Sequence, residues 1–261
     1  MSRVLALFSF VVLIASCASP PPAPASAVAD LAPTGRLRAA INFGNPILAT
    51  RDAATGEPRG LSVDLARELS RRLNVPVELV TFPAAGQVME AFKAGAVDIG
   101  FVAIDPDRAG DVSYSAPYVI IEGGYLVRVD SPIRSNAEVD RAGVRIAVGA
   151  RSAYDLYLAR EIKQATLVRA PTSPEVVDFF MAQKLEVAAG VKQQLEADAK
   201  RVAGLRLLDG RFMVINQAMA TPRGRTAGLD YLTSFVATMK TSGFVAESLK
   251  RHGIEGATVA P

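Results

Sequence analysis

Two residues in this chain could do nucleophilic or transition-metal chemistry, the single cysteine, Cys17, and the single histidine, His252. A zinc-type site draws its ligands from several His and Cys side chains, and a hydrolytic triad sets a His beside its nucleophile. A transition-metal site and a Ser-His-Asp or Cys-His triad are therefore excluded, and no cofactor is expected. His252 sits in SLKRHGIEG and reads as a solvated helix end beside Gly253. What is left is recognition of charge without covalent chemistry. In Asp105-Pro106-Asp107-Arg108, a capping residue followed by proline at the first helical position sets Arg108 in the first turn of a short helix. Its guanidinium offers planar paired donors that stay charged when water is removed. The competing reading is a surface arginine paired with Asp107 or Asp111. Ser152 precedes AYDLYLAREIK and reads as the N-cap of that helix.

The elements around these residues belong to an exported protein. Arg3 and the apolar run Val4 to Ser16 have the parts of a secretory signal, and the run is shorter than the ~20 residues of a membrane-spanning helix. Ile14-Ala15-Ser16-Cys17 resembles the bacterial lipobox. That resemblance implies cleavage after residue 16 and acylation of Cys17, which would account for one unpaired thiol in an oxidising compartment. Residues 17–33, rich in proline and alanine, are expected to form a semi-extended tether, so the membrane is reached by a lipid anchor only.

The formal net charge is +3, and it falls to +2 when Arg3 leaves with the signal, because Met1 to Ser16 holds no other charged residue. So small an excess, with no basic run interleaved with aromatics, argues against nucleic acid as a partner. From Leu37 onward, short apolar runs alternate with amphipathic segments, the pattern of an α/β sheet. LRAAINF, VPVELVTF and VDIGFVAI read as strands around two helices, SVDLARELSRRLN with Ser62 as its N-cap and QVMEAFKAG. A second unit of the same style runs from YLVRV through VRIAVG, TLVRA and VAAG, and two helices close the chain.

GLSVDLARELSRRLNVPVELV, followed by AFKAGAVDIGFVAIDPDRAGDVSYSAPYV, resembles the extracellular solute-binding proteins of amino-acid ABC transporters, family 3. The matching residues are Gly60, Asp64, Phe92, Gly95, Asp98, Arg108, Ser115, Pro117 and Tyr118, and the similarity runs from Thr34 to Gly253. The resemblance implies a periplasmic binding protein-like α/β fold, two lobes joined by two hinge strands with the ligand in the cleft between them. Lobe one is expected at residues 34–123 plus 216–261 and lobe two at 124–215, with hinges near Gly123-Tyr125 and Val214-Gln217. It also implies that Arg108 forks onto the ligand's carboxylate, and that Ser152, with free backbone N–H groups beside it, holds that carboxylate from the second lobe. Arg151 stands where the family uses glycine; it either adds a second cation to the site or points to water. Asn42, Phe43 and Asn45 fall where the ligand's side chain lies, although an aromatic ending a strand is more often core.

Departures from the family pattern bear on the ligand. Ala103 replaces a contact serine, and Val191 stands where an aspartate pairs with the ligand's ammonium. Either the ligand is a carboxylate without an α-amino group, or another acid serves: Glu122, at the hinge, or Asp105. The leading expectation is a monomeric, lipid-anchored solute receptor that is not an enzyme and delivers a small carboxylate-bearing molecule, an amino acid or related organic acid, to an ABC permease of the inner membrane. Two alternatives stand beside it: an enzyme resembling cyclohexadienyl dehydratases, with Glu122 or Asp105 as proton carrier, and an accessory or sensory lipoprotein without a permease.

Overall fold

A computed structural model describes residues 22–261, so the signal segment and Cys17 lie outside the described residues. In chain order the elements are α1 (Ala25–Leu31), β1 (Leu37–Asn42), β2 (Thr50–Arg51), β3 (Pro58–Arg59), α2 (Leu61–Leu73), β4 (Val77–Phe82), α3 (Ala85–Lys93), β5 (Ile99–Ala103) and β6 (Val112–Arg128). They continue with β7 (Arg145–Gly149), α4 (Ala153–Glu161), β8 (Thr166–Ala170), α5 (Val176–Ala182), β9 (Val187–Val191), α6 (Lys192–Arg201), β10 (Leu205–Leu207), β11 (Met213–Pro222), α7 (Thr226–Thr241), α8 (Phe244–Arg251) and β12 (Thr258–Val259).

One sheet runs through the molecule in the order β4-β1-β5-β11-β6-β9-β7-β8, with β10 and β12 also on β6. β1 pairs in parallel with β4 and β5, and β7 pairs in parallel with β8 and β9, the two strand-helix-strand units expected from the alternation. β6 and β11 are antiparallel and join them. The 17-residue β6 lies on β11 as far as Gly123 and on β9 from Gly123 to Leu126. Glycine is required there by close approach: a Cβ at 123 would sit 2.7 Å from Met213 Cγ and 2.9 Å from Phe212 Cζ.

Each half buries both faces of its part of the sheet. Leu37, Ile41, Leu65 and Leu69 belong to one core of the first half and Val88, Phe92 and Val102 to the other. Ile146, Val148 and Leu158 lie on one face of the second half, with Phe180 and Leu195 on the opposite face. A small cluster of Ala103, Ile121 and Ile215, touched by Ala153 and Val191, packs where the halves meet.

Three expectations need correction. Ser62 is not a cap but is buried inside α2, whose N-cap is Gly60. Gly60 takes φ +120°, a Cβ there would lie 2.5 Å from the Leu48 carbonyl, and Ser62 N–H donates to that carbonyl at 3.1 Å. A tertiary contact thus replaces the side-chain cap. The tether does not reach residue 33, because α1 docks on α7 through buried Ala27 and Leu31, and Asp30 Oδ2 accepts Gly228 N–H in the first turn of α7 at 2.9 Å. His252 is not solvated: its Nε2 lies 2.9 Å from Asp64 Oδ2, which also accepts from Ser248 Oγ and Arg251, tying α8 to α2. No helix among the described residues is long and apolar enough to cross a membrane.

Candidate ligand-binding site

A cavity of about 30 Å³ lies where the halves meet. The first half supplies Asn42, Asn45 and Arg108, the second Ser152, Tyr154 and Val191, and β11 supplies Ile215 and Gln217.

Arg108 reaches it as its local sequence requires. Asp105 Oδ1 accepts Asp107 N–H at 2.9 Å, Pro106 opens a single 3-10 turn, and Arg108 ends that turn. Arg108 as a whole is 4% exposed. It donates to the Ala103 carbonyl at 3.2 Å and, across the interface, to the Arg151 carbonyl at 3.0 Å. Two of its five N–H donors are thereby used. No carboxylate of the described residues forms an ion pair with it, and burial pushes its pKa below the usual arginine value.

Opposite stands the start of α4. Ser152 Oγ accepts Asp155 N–H at 3.1 Å, as an N-cap should, while Ser152 N–H is taken by the Gly149 carbonyl and Arg151 N–H by Asp155 Oδ2. The free N–H groups therefore lie one step further on, at Ala153 and Tyr154, whose first-turn positions have no intrahelical acceptor. Asn45 Oδ1 is buried without a partner, and Asn42 Oδ1 accepts Gly44 N–H at 2.9 Å.

The other anticipated residues lie elsewhere. Glu122 is engaged by Arg211 Nη1 and by Lys192 Nζ at 3.7 Å and does not line the cavity. Asp105 is bound by Arg160 of α4 through both oxygens, at 3.2 and 2.9 Å, and Arg160 also reaches Asp107 at 2.7 Å. Phe43 packs against the first core with Arg51 4.6 Å over its ring. Arg151 turns out of the cavity to Glu90 of α3 at 2.8 Å. Its φ of +56° is left-handed, so glycine suits this position sterically. Arg160 and Arg151 therefore brace the two halves at the rim. Gln217, buried in β11, was missed; the one signal was a glutamine inside the apolar run FMVINQAMA.

Two α/β halves joined by paired strands, with a buried cation in a small cavity between them, define a receptor for a small polar molecule. The family pattern of the bacterial extracellular solute-binding proteins, family 3, matches residues 37–255, and the chain belongs to that family. The fold is similar to that of a putative binding component of an ABC transporter from Wolinella succinogenes complexed with lysine, at 22% identity and TM-score 0.73 over 84% of this chain and 95% of that one. It is similar also to the solute receptor for L-cysteine of Neisseria gonorrhoeae, at 22% identity and TM-score 0.74 over 87% and 92%. A third likeness is an ancestral amino acid-binding protein, a precursor of cyclohexadienyl dehydratase, at 20% identity and TM-score 0.71 over 83% and 94%. No curated protein matches the chain.

Proposed function

We propose that this protein is a lipid-anchored solute receptor that carries a small carboxylate-bearing ligand to an ABC permease of the inner membrane, with Arg108 as the carboxylate's seat. One observation carries the reading: a guanidinium sealed between the halves with no acid on it. An uncompensated buried cation costs several kcal/mol, and an entering carboxylate removes that deficit. The same anion meets the free N–H groups of α4, whose dipole favours negative charge, so binding draws on both halves at once. Family membership, with a lysine complex and a receptor for L-cysteine among the similar folds, supports an amino acid or related organic acid as ligand.

A proton-transfer enzyme on this fold is less well supported, because Glu122 and Asp105 are held by arginines outside the cavity. Prephenate or arogenate incubated with the protein is expected back unchanged. The seat is tested by calorimetric titration of small acids into wild type and Arg108→Ala. Losing one side of a buried charge pair is expected to cost ~2–5 kcal/mol of binding. Unchanged affinity in the variant refutes the assignment.

The anchor rests on Ile14-Ala15-Ser16-Cys17. Because α1 begins at Ala25, residues 18–24 are all that separate Cys17 from the folded body, about 20 Å if extended. Cys17→Ser is expected to move the protein from the detergent to the aqueous phase in a partition assay; a wild type already aqueous removes the anchor from the account.

A further inference from the structure

We infer that the cavity selects small organic acids that carry no ammonium group; this rests on the proposed seat at Arg108. Arg108 is the only charged residue in the lining. The acids in the surroundings are each paired with a cation and lie outside the lining. Asp105 accepts from Arg160 and the Asp107 amide. Asp155 pairs with Arg169 and accepts the Arg151 amide on Oδ2; its Oδ1 is buried without a hydrogen bond, but the residue does not line the cavity. Glu122 holds Arg211 and Lys192. Asp198, in a smaller hollow of about 10 Å³ beyond Val191, is bonded to Arg201 and Gln194. A zwitterion would thus bring a second cation into a small space that already holds one and is lined by no carboxylate. An ammonium also needs acceptors in a tight cluster. Asn45 Oδ1 is unpartnered, but Val191, Ala103 and Ile215 form an apolar part of the lining that offers no side-chain acceptor beside it.

The same apolar lining argues for a carbon skeleton over an inorganic oxyanion. Size gives a second limit. At about 30 Å³, against the about 10–15 Å³ that seats one water, the cavity is small and limits the ligand to the smallest organic acids. A three-carbon acid satisfies all of this: its carboxylate lies on Arg108 and the α4 amides, a methyl lies on Val191 and Ile215, and a 2-hydroxyl or 2-oxo group faces the amides of Asn45 and Gln217.

The test compares matched pairs. The full-length protein is titrated calorimetrically with pyruvate, L-lactate, propionate and acetate, and with L-alanine and glycine, their amino counterparts, and with sulfate and phosphate. The deaminated acids are expected to bind and their amino counterparts to bind at least about a hundred-fold more weakly, the scale of an unpaired buried ammonium. Alanine or glycine binding as well as lactate or acetate overturns the inference. If that binding disappears in Arg108→Ala, the seat survives and the exclusion of amines alone is wrong; if Arg108→Ala leaves it unchanged, the seat falls as well. Sulfate or phosphate binding more tightly than every organic acid also overturns it, as does the absence of binding by all of them. Val191→Asp, checked for folding by circular dichroism, is expected to improve alanine relative to lactate by at least about tenfold; an unchanged ratio in the folded variant counts against the cavity as drawn.

Discussion

Replacing Asp98 with alanine should destabilise the first half without removing any residue of the cavity lining. The carboxylate is fully buried and accepts Arg38 Nε at 2.9 Å, Arg38 Nη2 at 2.8 Å, Arg225 Nη1 at 3.0 Å and the Arg38 amide at 3.1 Å. Its loss strands two guanidinium groups beside a strand that leads to Arg108. Breaking a fully buried pair costs about 3–5 kcal/mol. Here both arginines keep about a fifth of their side chains in solvent, 20% and 22%, so part of that cost is recovered by hydration. About 2–4 kcal/mol is expected, which for a chain of this size lowers Tm by roughly 5–12 °C. Urea unfolding followed by circular dichroism measures it, and a loss under about 1 kcal/mol refutes the buried-network reasoning. The pH dependence has a definite sign. Burial alone raises the Asp98 pKa, but hydrogen bonds from Arg38 and Arg225 outweigh it and hold the carboxyl below its usual range. The folded pKa being the lower one, this stabilisation is complete above about pH 4 and is lost as pH falls through the native value. The acid limb of the stability curve should flatten in Asp98→Ala.

Three further outcomes follow from the geometry. Arg151→Gly is expected to be more stable than Arg151→Ala by about 1 kcal/mol, because only the left-handed φ distinguishes them once the Glu90 pair is gone; equal melting temperatures contradict this. Gly60→Ala is expected to lose about 3 kcal/mol or more from a positive φ and a backbone clash with Leu48, read by chemical denaturation, and a near-neutral result rules out the contact as drawn. Arg160→Ala frees Asp105 to turn toward Arg108 and removes a brace between the halves, so affinity for the acid ligand should fall about three- to tenfold with little change in Tm. Affinity that stays constant there denies Asp105 and Arg160 any part in the site.

The alternation of apolar and amphipathic segments made the two α/β units legible, and the strand TLVRA coincides with β8 residue for residue. The turn at Asp105-Pro106 was legible for the same reason, since capping and a fixed proline φ act over three residues. What failed depended on partners distant in sequence. Ser62 looked like a cap because nothing nearby says that Leu48 would supply the acceptor. Residues 25–31 looked like tether because their docking surface, α7, comes some two hundred residues later. Glu122 and Asp105 looked available to a ligand until Arg211 and Arg160, remote in sequence, proved to hold them. Family-pattern residues Asp64 and Asp98 are likewise structural, each tying elements together far from the cavity lining.

Co-crystallisation with the tightest-binding small acid reads the decisive contact directly. The account requires a carboxylate within about 3 Å of the Arg108 guanidinium and of the Ala153 and Tyr154 amides, between the halves. Electron density for that acid at any other place, with Arg108 still bonded only to the carbonyls of Ala103 and Arg151, would contradict it.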